Sequence, residues 1–355
     1  MNNKLIFPAL TGYRAIAAWM IFIYHFMPFN NPKYPQWIKT IIWEFHTGVD
    51  MFFVLSGFLI TYRYFNQTPI NFKNYMVNRF SRIYPMYFFI TIGVFAVWYF
   101  QNGYWDNSKS WEALFSLTMT KALFSNFSLK GIPQGWTLTL EELFYLTAPF
   151  YFILIRRSKN WLLFLPLIIF GLGYGLKYLL NTSWNEWGFL TKPIYPYIIE
   201  FFAGIGLGYI ILKQKGKSIL KYNWATYFGL IIISIYLLTR GYFATIFNLK
   251  SDLGRFVEMG ILSILGIAPL LWGLIFEKTW IQTILSHKWM VLLGKSSYIF
   301  YLIHKGFIPI FINDYISDNK FVIFIILNIL SIIMFTYIEE PLNHYIRKKF
   351  SKANT

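Results

Sequence analysis

Apolar stretches of 17–22 residues recur along this chain, each long enough to carry a helix across the roughly 30 Å of a bilayer's hydrocarbon. About ten can be marked, over residues 8–28, 48–66, 83–101, 137–155, 161–180, 194–212, 223–240, 256–276, 296–313 and 320–338. In lipid every backbone N–H and C=O must find a partner within its own segment, so stretches of this kind dictate helices. The expected fold is all-α and polytopic. Composition agrees. Of 355 residues, 56% are hydrophobic, 22% aromatic and only 13% charged, which excludes an ordinary soluble domain.

The basic residues orient the helices. Arg63, Lys73, Arg79 and Arg82 follow the second span, Arg156, Arg157 and Lys159 the fourth, and Lys213, Lys215, Lys217 and Lys221 the sixth. Lys278, Lys288 and Lys295 follow the eighth, and Arg347, Lys348, Lys349 and Lys352 the tenth. Cations mark the cytoplasmic side, so both termini are expected there. A net charge of +17 distributed between spans in this way is an orientation signal and not a nucleic-acid surface. No small-residue cleavage site follows the first stretch, which is therefore expected to remain as a permanent span. Residues 1–345 are expected to form one integral-membrane domain and 346–355 a short basic, polar cytoplasmic tail. With no cysteine, disulfides, thiolate metal sites and a cysteine nucleophile are excluded, and no His-Glu-x-x-His spacing suggests a metal.

Against this apolar background a few polar residues stand out. The first span, LTGYRAIAAWMIFIYHF, carries Arg14 and His25 eleven positions apart. Eleven steps of 100° bring both to one face within about 20°, about 16 Å apart along the axis. Such a face is costly in lipid unless it lines a polar cavity; the bland alternative is two side chains reaching for the two interfaces. Asp50 opens the second span near the expected depth of His25. A carboxylate beside an imidazole is the minimal general base, since it fixes the tautomer and stabilises the imidazolium. Glu141 and Glu142 reach the same level in WTLTLEELFYL, where Thr137 is also placed to cap a helix whose dipole favours acids. On the cytoplasmic side NRFSRIYP sets Arg79 and Arg82 one turn apart, followed by Tyr84. That is a fork for phosphates, or else ordinary membrane anchoring. His304 is expected near mid-membrane in GKSSYIFYLIH, with Tyr298 and Tyr301 on adjoining faces, either functional or packing a helix. Glu339 and Glu340 are expected at a helix C-terminus, where they oppose the dipole and call for a cationic partner.

Taken in order, Arg14 to His25, GVDMFFVLSGFLIT, RFSRIYPMY, WTLTLEELFYL, SYIFYLIH and IEEP resemble the type-three membrane acyltransferases, a family that O-acetylates lipopolysaccharide, capsule, peptidoglycan, Nod factors and macrolides. The resemblance runs over essentially the whole chain. It implies that His25 is the catalytic histidine and Arg14 its partner, that Arg79 and Arg82 handle the acyl-CoA donor, and that Glu141 and Trp136 belong to the tryptophan-initiated motif. Asp50 joins the catalytic set, Tyr84 the donor set, and Ser56, Glu142, Tyr298, His304 and Glu339 are supporting candidates. Two departures stand out. Glu339-Glu340-Pro341 replaces a common Glu-Arg-Pro, and Thr137 replaces a serine. No C-terminal SGNH hydrolase-like domain is expected.

The resemblance implies an O-acyltransferase in a bacterial cytoplasmic (inner) membrane. It would use acetyl-CoA or another acyl-CoA as donor substrate from the inside and a glycan or lipid-linked glycan acceptor, such as lipopolysaccharide, from the outside. No permanently bound cofactor is expected. Direct attack and an acyl-histidine relay both fit. A polytopic transporter or flippase for a lipid-linked sugar or anionic metabolite is the alternative from another class.

Overall fold

A computed structural model describes residues 7–26, 34–182, 185–215, 223–246 and 251–350. Lys217, Lys221 and Lys352, counted above as orientation signals, and the rest of residues 351–355 of the expected tail lie outside them. The chain is 82% helical. Among the described residues there is no strand, only an isolated antiparallel bridge between Phe124 and Phe189.

In chain order the α-helices are α1 (Pro8–Phe26), α2 (Gln36–Trp43), α3 (Gly48–Tyr64), α4 (Phe72–Asn102), α5 (Asn107–Leu117), α6 (Trp136–Arg157), α7 (Trp161–Leu180) and α8 (Ile198–Lys213). There follow α9 (Ala225–Ile246), α10 (Asp252–Ile261), α11 (Ala268–Phe276), α12 (Trp280–Leu285), α13 (Lys288–Ile303), α14 (Phe307–Tyr315), α15 (Lys320–Met334) and α16 (Glu340–Phe350). Eight helical runs among the described residues are long and apolar enough to cross a membrane. Eight of the ten expected stretches fall on them. The first stretch forms α1, whose apolar character Thr11, Arg14 and His25 dilute. The ninth, 296–313, is not one helix: α13 ends at Ile303, and α14 begins at Phe307 after Gly306 at φ +109°, a backbone that side-chain-bearing residues rarely adopt.

Two compact units emerge, Met1–Phe65 with Pro196–Tyr298 and Asn66–Tyr195 with Ile299–Thr355. In the first, α3 and α8 approach backbone to backbone. A Cβ on Gly57 would stand 2.1 Å from the Phe201 carbonyl oxygen, and one on Gly204 would stand 2.0 Å from that of Val54. Where lipid removes the hydrophobic drive between helices, small residues that permit such contact hold them together. Around this pair Leu10, Tyr13, Phe58, Met259 and Leu271 form a buried core. By contrast α7 in the second unit and α9 in the first are largely exposed along their lengths, as lipid-facing helices are.

Two widened turns interrupt the long runs, at Leu262–Ile267 and Phe335–Glu339. Each is a π-helical turn, and Pro269 and Pro341 follow two residues after. A proline lacks the N–H and clashes with the carbonyl four residues back, and a widened turn accommodates both defects. Glu339 and Glu340 therefore do not end a helix, contrary to expectation. They sit inside a run that continues through α16, and the dipole argument for a cationic partner falls away.

In the second unit α4 begins at Phe72, where Asn71 accepts a bond from the Asn74 N–H at 3.0 Å. The RFSRIYP segment thus lies two turns inside the helix and not ahead of it. Segment 103–135 folds into α5 and short 3-10 turns, and its Phe124 pairs with Phe189 beyond α7. Phe115, Phe124, Phe127 and Trp187 stack there with ring centroids 4.1–6.5 Å apart.

Candidate active site

The continuous helix α1 keeps Arg14 and His25 on one side, and it is the side the helix buries. Leu10, Ala17, Ala18 and Ile21 fall within about 60° of Arg14 around the axis, and each is at most 2% exposed. Arg14 is half-buried among them. His25 lies in the last turn, where it is exposed. Its neighbour Tyr24 spreads aromatic contact to His46, ring centroids 5.7 Å apart, and to Trp43 at 5.6 Å. His46 Nδ1 sits 3.0 Å from the Trp43 carbonyl oxygen and 3.8 Å from Glu44 Oε2.

Behind this surface lies a buried charge network. Asp50, 1% exposed in the first turn of α3, accepts a bond from Arg255 Nη2 at 2.8 Å. The same nitrogen is 3.5 Å from Oε1 of Glu200, which is fully buried on α8. The Arg255 guanidinium also lies 4.1 Å from the centroid of the Tyr197 ring. A second knot adjoins. Arg240 Nε donates to Glu258 Oε1 at 2.8 Å, its Nη1 stands 3.4 Å from Glu44 Oε1, and the Tyr236 hydroxyl donates to Glu258 Oε1 at 2.9 Å. Asp50 thus has Arg255 for its hydrogen-bond partner. Ser56 is half-buried on α3, about 120° around the axis from Asp50. Tyr298 is buried on α13.

The second unit gathers the other candidates on α4 and α6. Arg79 is only 6% exposed, with its guanidinium 5.5 Å from the Tyr145 ring centroid. Tyr145 donates its hydroxyl to Glu141, and its own carbonyl accepts from Tyr75 at 2.6 Å. A guanidinium packed against an aromatic ring inside the unit is not a headgroup anchor. Arg82 is half-buried one turn on, and Tyr84 stacks on Phe80 at 4.4 Å. Glu142 is half-buried beside Glu141. Glu339 is 6% exposed, and next to it Asn343 ties α16 to α4 by accepting from the Ser81 hydroxyl at 3.0 Å.

The start of α6 is built differently from expectation. The Pro133–Gly135 turn runs straight into a helix beginning at Trp136, so Thr137 lies inside it and caps nothing. Its hydroxyl lies 3.0 Å from the Gln134 carbonyl, which it donates to, and 2.9 Å from the Tyr301 hydroxyl. Gln134 in turn donates to the Leu302 carbonyl at 2.6 Å. His304 is fully buried just beyond α13, Nδ1 2.7 Å from the Tyr301 carbonyl oxygen, which requires the proton on that nitrogen. Under the turn the fully buried Lys121 ammonium donates to the carbonyls of Lys130 and Ile132. Burial, and then the charge of Lys192, pushes its pKa down to about 7, with Glu112 opposing. Lys192 itself sits 4.7 Å from the Trp136 ring centroid.

In a family comparison, residues 7–339 match an acyltransferase domain. The chain belongs to that family. Among its curated relatives is the Staphylococcus aureus (strain COL) protein named Putative O-acetyltransferase SACOL0978, 24% identical over 354 residues, covering 90% of this chain and 53% of the relative. O-acetyltransferase OatA of Staphylococcus aureus (strain NCTC 8325 / PS 47) is 25% identical over 395 residues, covering 99% and 59%. This acyltransferase domain spans a little over half the length of those relatives. No solved structure matches it.

Several residues of the network were not singled out in the sequence. Arg240 and Arg255 look like loop cations, because they stand at the edges of the apolar windows 223–240 and 256–276. Glu200 and Glu258 lie inside expected spans, and the cost of a charge in lipid, which marks Arg14, marks them equally.

Proposed function

We propose that this acyltransferase domain moves an acetyl or other short acyl group from cytoplasmic acyl-CoA to a hydroxyl of a surface polysaccharide or lipid-linked glycan. One observation carries the reading. A single unbroken helix carries on one side, the side it buries along most of its length, a half-buried guanidinium toward one end and an exposed imidazole in its last turn. Arg79, Arg82 and Tyr84 hold the donor's phosphates from the cytoplasmic side, and Arg14 leads toward the thioester. His25 accepts the proton of the acceptor hydroxyl as its oxygen attacks the thioester carbonyl. The carbon–sulfur bond then breaks, and the imidazolium returns the proton to the departing thiolate, giving free CoA. Proton transfer of this kind is typically worth about 10²–10⁴-fold, and positioning supplies much of the remainder. Glu141 acts as a charged partner in the tryptophan-initiated motif, and the Asp50 network holds the outer end of the first unit.

The test is release of thiol from acetyl-CoA by purified protein with an acceptor glycan, together with acetyl-CoA binding. His25→Ala is expected to lose transfer by at least about 10²-fold while binding acetyl-CoA as the parent does. Full transfer by His25→Ala would overturn the reading.

A further inference from the structure

Between α9 and α10 lies a cavity of about 770 Å³ that no step above uses. Its walls are one stripe of each helix: Ile232, Ile235 and Phe243 on α9, Val257 and Ile261 on α10, and Leu265 in the widened turn beyond. Ile235, Val257 and Ile261 are each half or more exposed, so the groove opens sideways on the face that meets lipid. The volume is that of a small-molecule site. One end is wholly apolar, whereas the other holds Tyr236, Arg240 and Glu258.

That polar end is not an anion site. Its one guanidinium is already shared between Glu258 and Glu44, so a phosphate there would face two carboxyl groups. What it lacks is a donor. Glu258 is 7% exposed and lines the cavity, yet its Oε2 has no hydrogen-bond partner among the described residues. A buried carboxyl oxygen left in this way is costly, and a ligand hydroxyl satisfies it. Carboxyl oxygens beside a tyrosine and a long apolar channel together fit an uncharged sugar carried on a hydrocarbon chain. The polar end also continues toward the proposed base, from Arg240 to Glu44, from Glu44 to His46 and from His46 through Tyr24 to His25.

We infer that the groove between α9 and α10 binds a glycolipid, its hydrocarbon chain along Ile232, Ile261 and Leu265 and a neutral sugar hydroxyl on Glu258. This rests on the proposed transferase reading only in naming the bound glycolipid as acceptor. The experiment uses the full chain in nanodiscs of phosphatidylglycerol, with an alkyl maltoside bearing a diazirine on its chain as the probe. Photolabelled peptides are expected within residues 229–265. Excess dodecyl maltoside should reduce the labelling about tenfold, and excess dodecyl phosphate should leave it in place. Val257→Trp and Ile261→Trp, at exposed wall positions, should each reduce it by about as much while the protein stays monodisperse. Labelling spread along the chain, equal competition by dodecyl phosphate, or parent-like labelling of both variants would overturn the proposal. Labelling needs no acetyl-CoA, so the two readings separate. Protein that labels but releases no thiol refutes the transferase and keeps the groove, and the converse refutes the groove.

Discussion

Replacing Arg255 by methionine preserves side-chain length and removes the guanidinium. That group stands 2.8 Å from Asp50 and 3.5 Å from Glu200, which are 1% and 0% exposed, and packs 4.1 Å from the centroid of Tyr197. Breaking a buried pair by deleting one partner costs about 3–5 kcal/mol, because the remaining charge stays desolvated. Loss of the ring contact adds about 1 kcal/mol, which the methionine's own packing on Tyr197 largely offsets. A net loss of about 3–5 kcal/mol is therefore expected, measured as unfolding free energy in a mixed-micelle denaturant titration. Asp50→Asn in the Arg255→Met background removes one of the stranded charges and should restore at least about 1 kcal/mol, a coupling that independent sites would not show. A loss below about 1 kcal/mol, or strict additivity of the two substitutions, would refute the claim that Arg255 holds the network together.

Arg79→Lys keeps the charge but gives up the guanidinium that packs 5.5 Å from the Tyr145 ring centroid, and with it the forked donors. The KM for acetyl-CoA is expected to rise about tenfold with little change in kcat; an unchanged KM in a kinetic titration would remove Arg79 from the donor site. Lys121 provides a pH signature. Its pKa is about 7 in the folded chain, against about 10.4 when unfolded, so between those values the unfolded state binds more protons and stability rises with pH. The slope contributed by this one group approaches 1.4 kcal/mol per pH unit at its steepest, roughly from pH 7 to pH 10. Lys121→Met should flatten the rise, as measured by unfolding at pH 6.5 and 9; an equal slope in both proteins would count against it.

Much of the architecture was readable from residue type because lipid leaves the backbone few options. The stretch 161–180 matches α7. Side-chain partners were harder to read, for physical reasons. A cation at the edge of an apolar window, as Arg240 and Arg255 are, looks like an orientation signal until the fold brings buried carboxyl groups to it. Ser and Thr favour the cap position, which marks Thr137, yet a 3-10 turn running into α6 starts the helix two residues sooner. The widened turns ahead of Pro269 and Pro341 follow from proline, which the apolar pattern does not register. The break at residues 304–306 depends on Gly306, and in an apolar run a single glycine is also common inside an intact helix.

The absence of cysteine permits a direct test of the central claim that α1 lines a route reached by donor from the cytoplasm and acceptor from outside. Arg14→Cys and His25→Cys, each the only thiol in its chain, are exposed to a membrane-impermeant maleimide in intact cells and in inverted vesicles. Position 25 is expected to react from the outside, and position 14 only from the cytoplasmic side, with CoA protecting it. Labelling of both from one side, or of neither from either, would contradict the account.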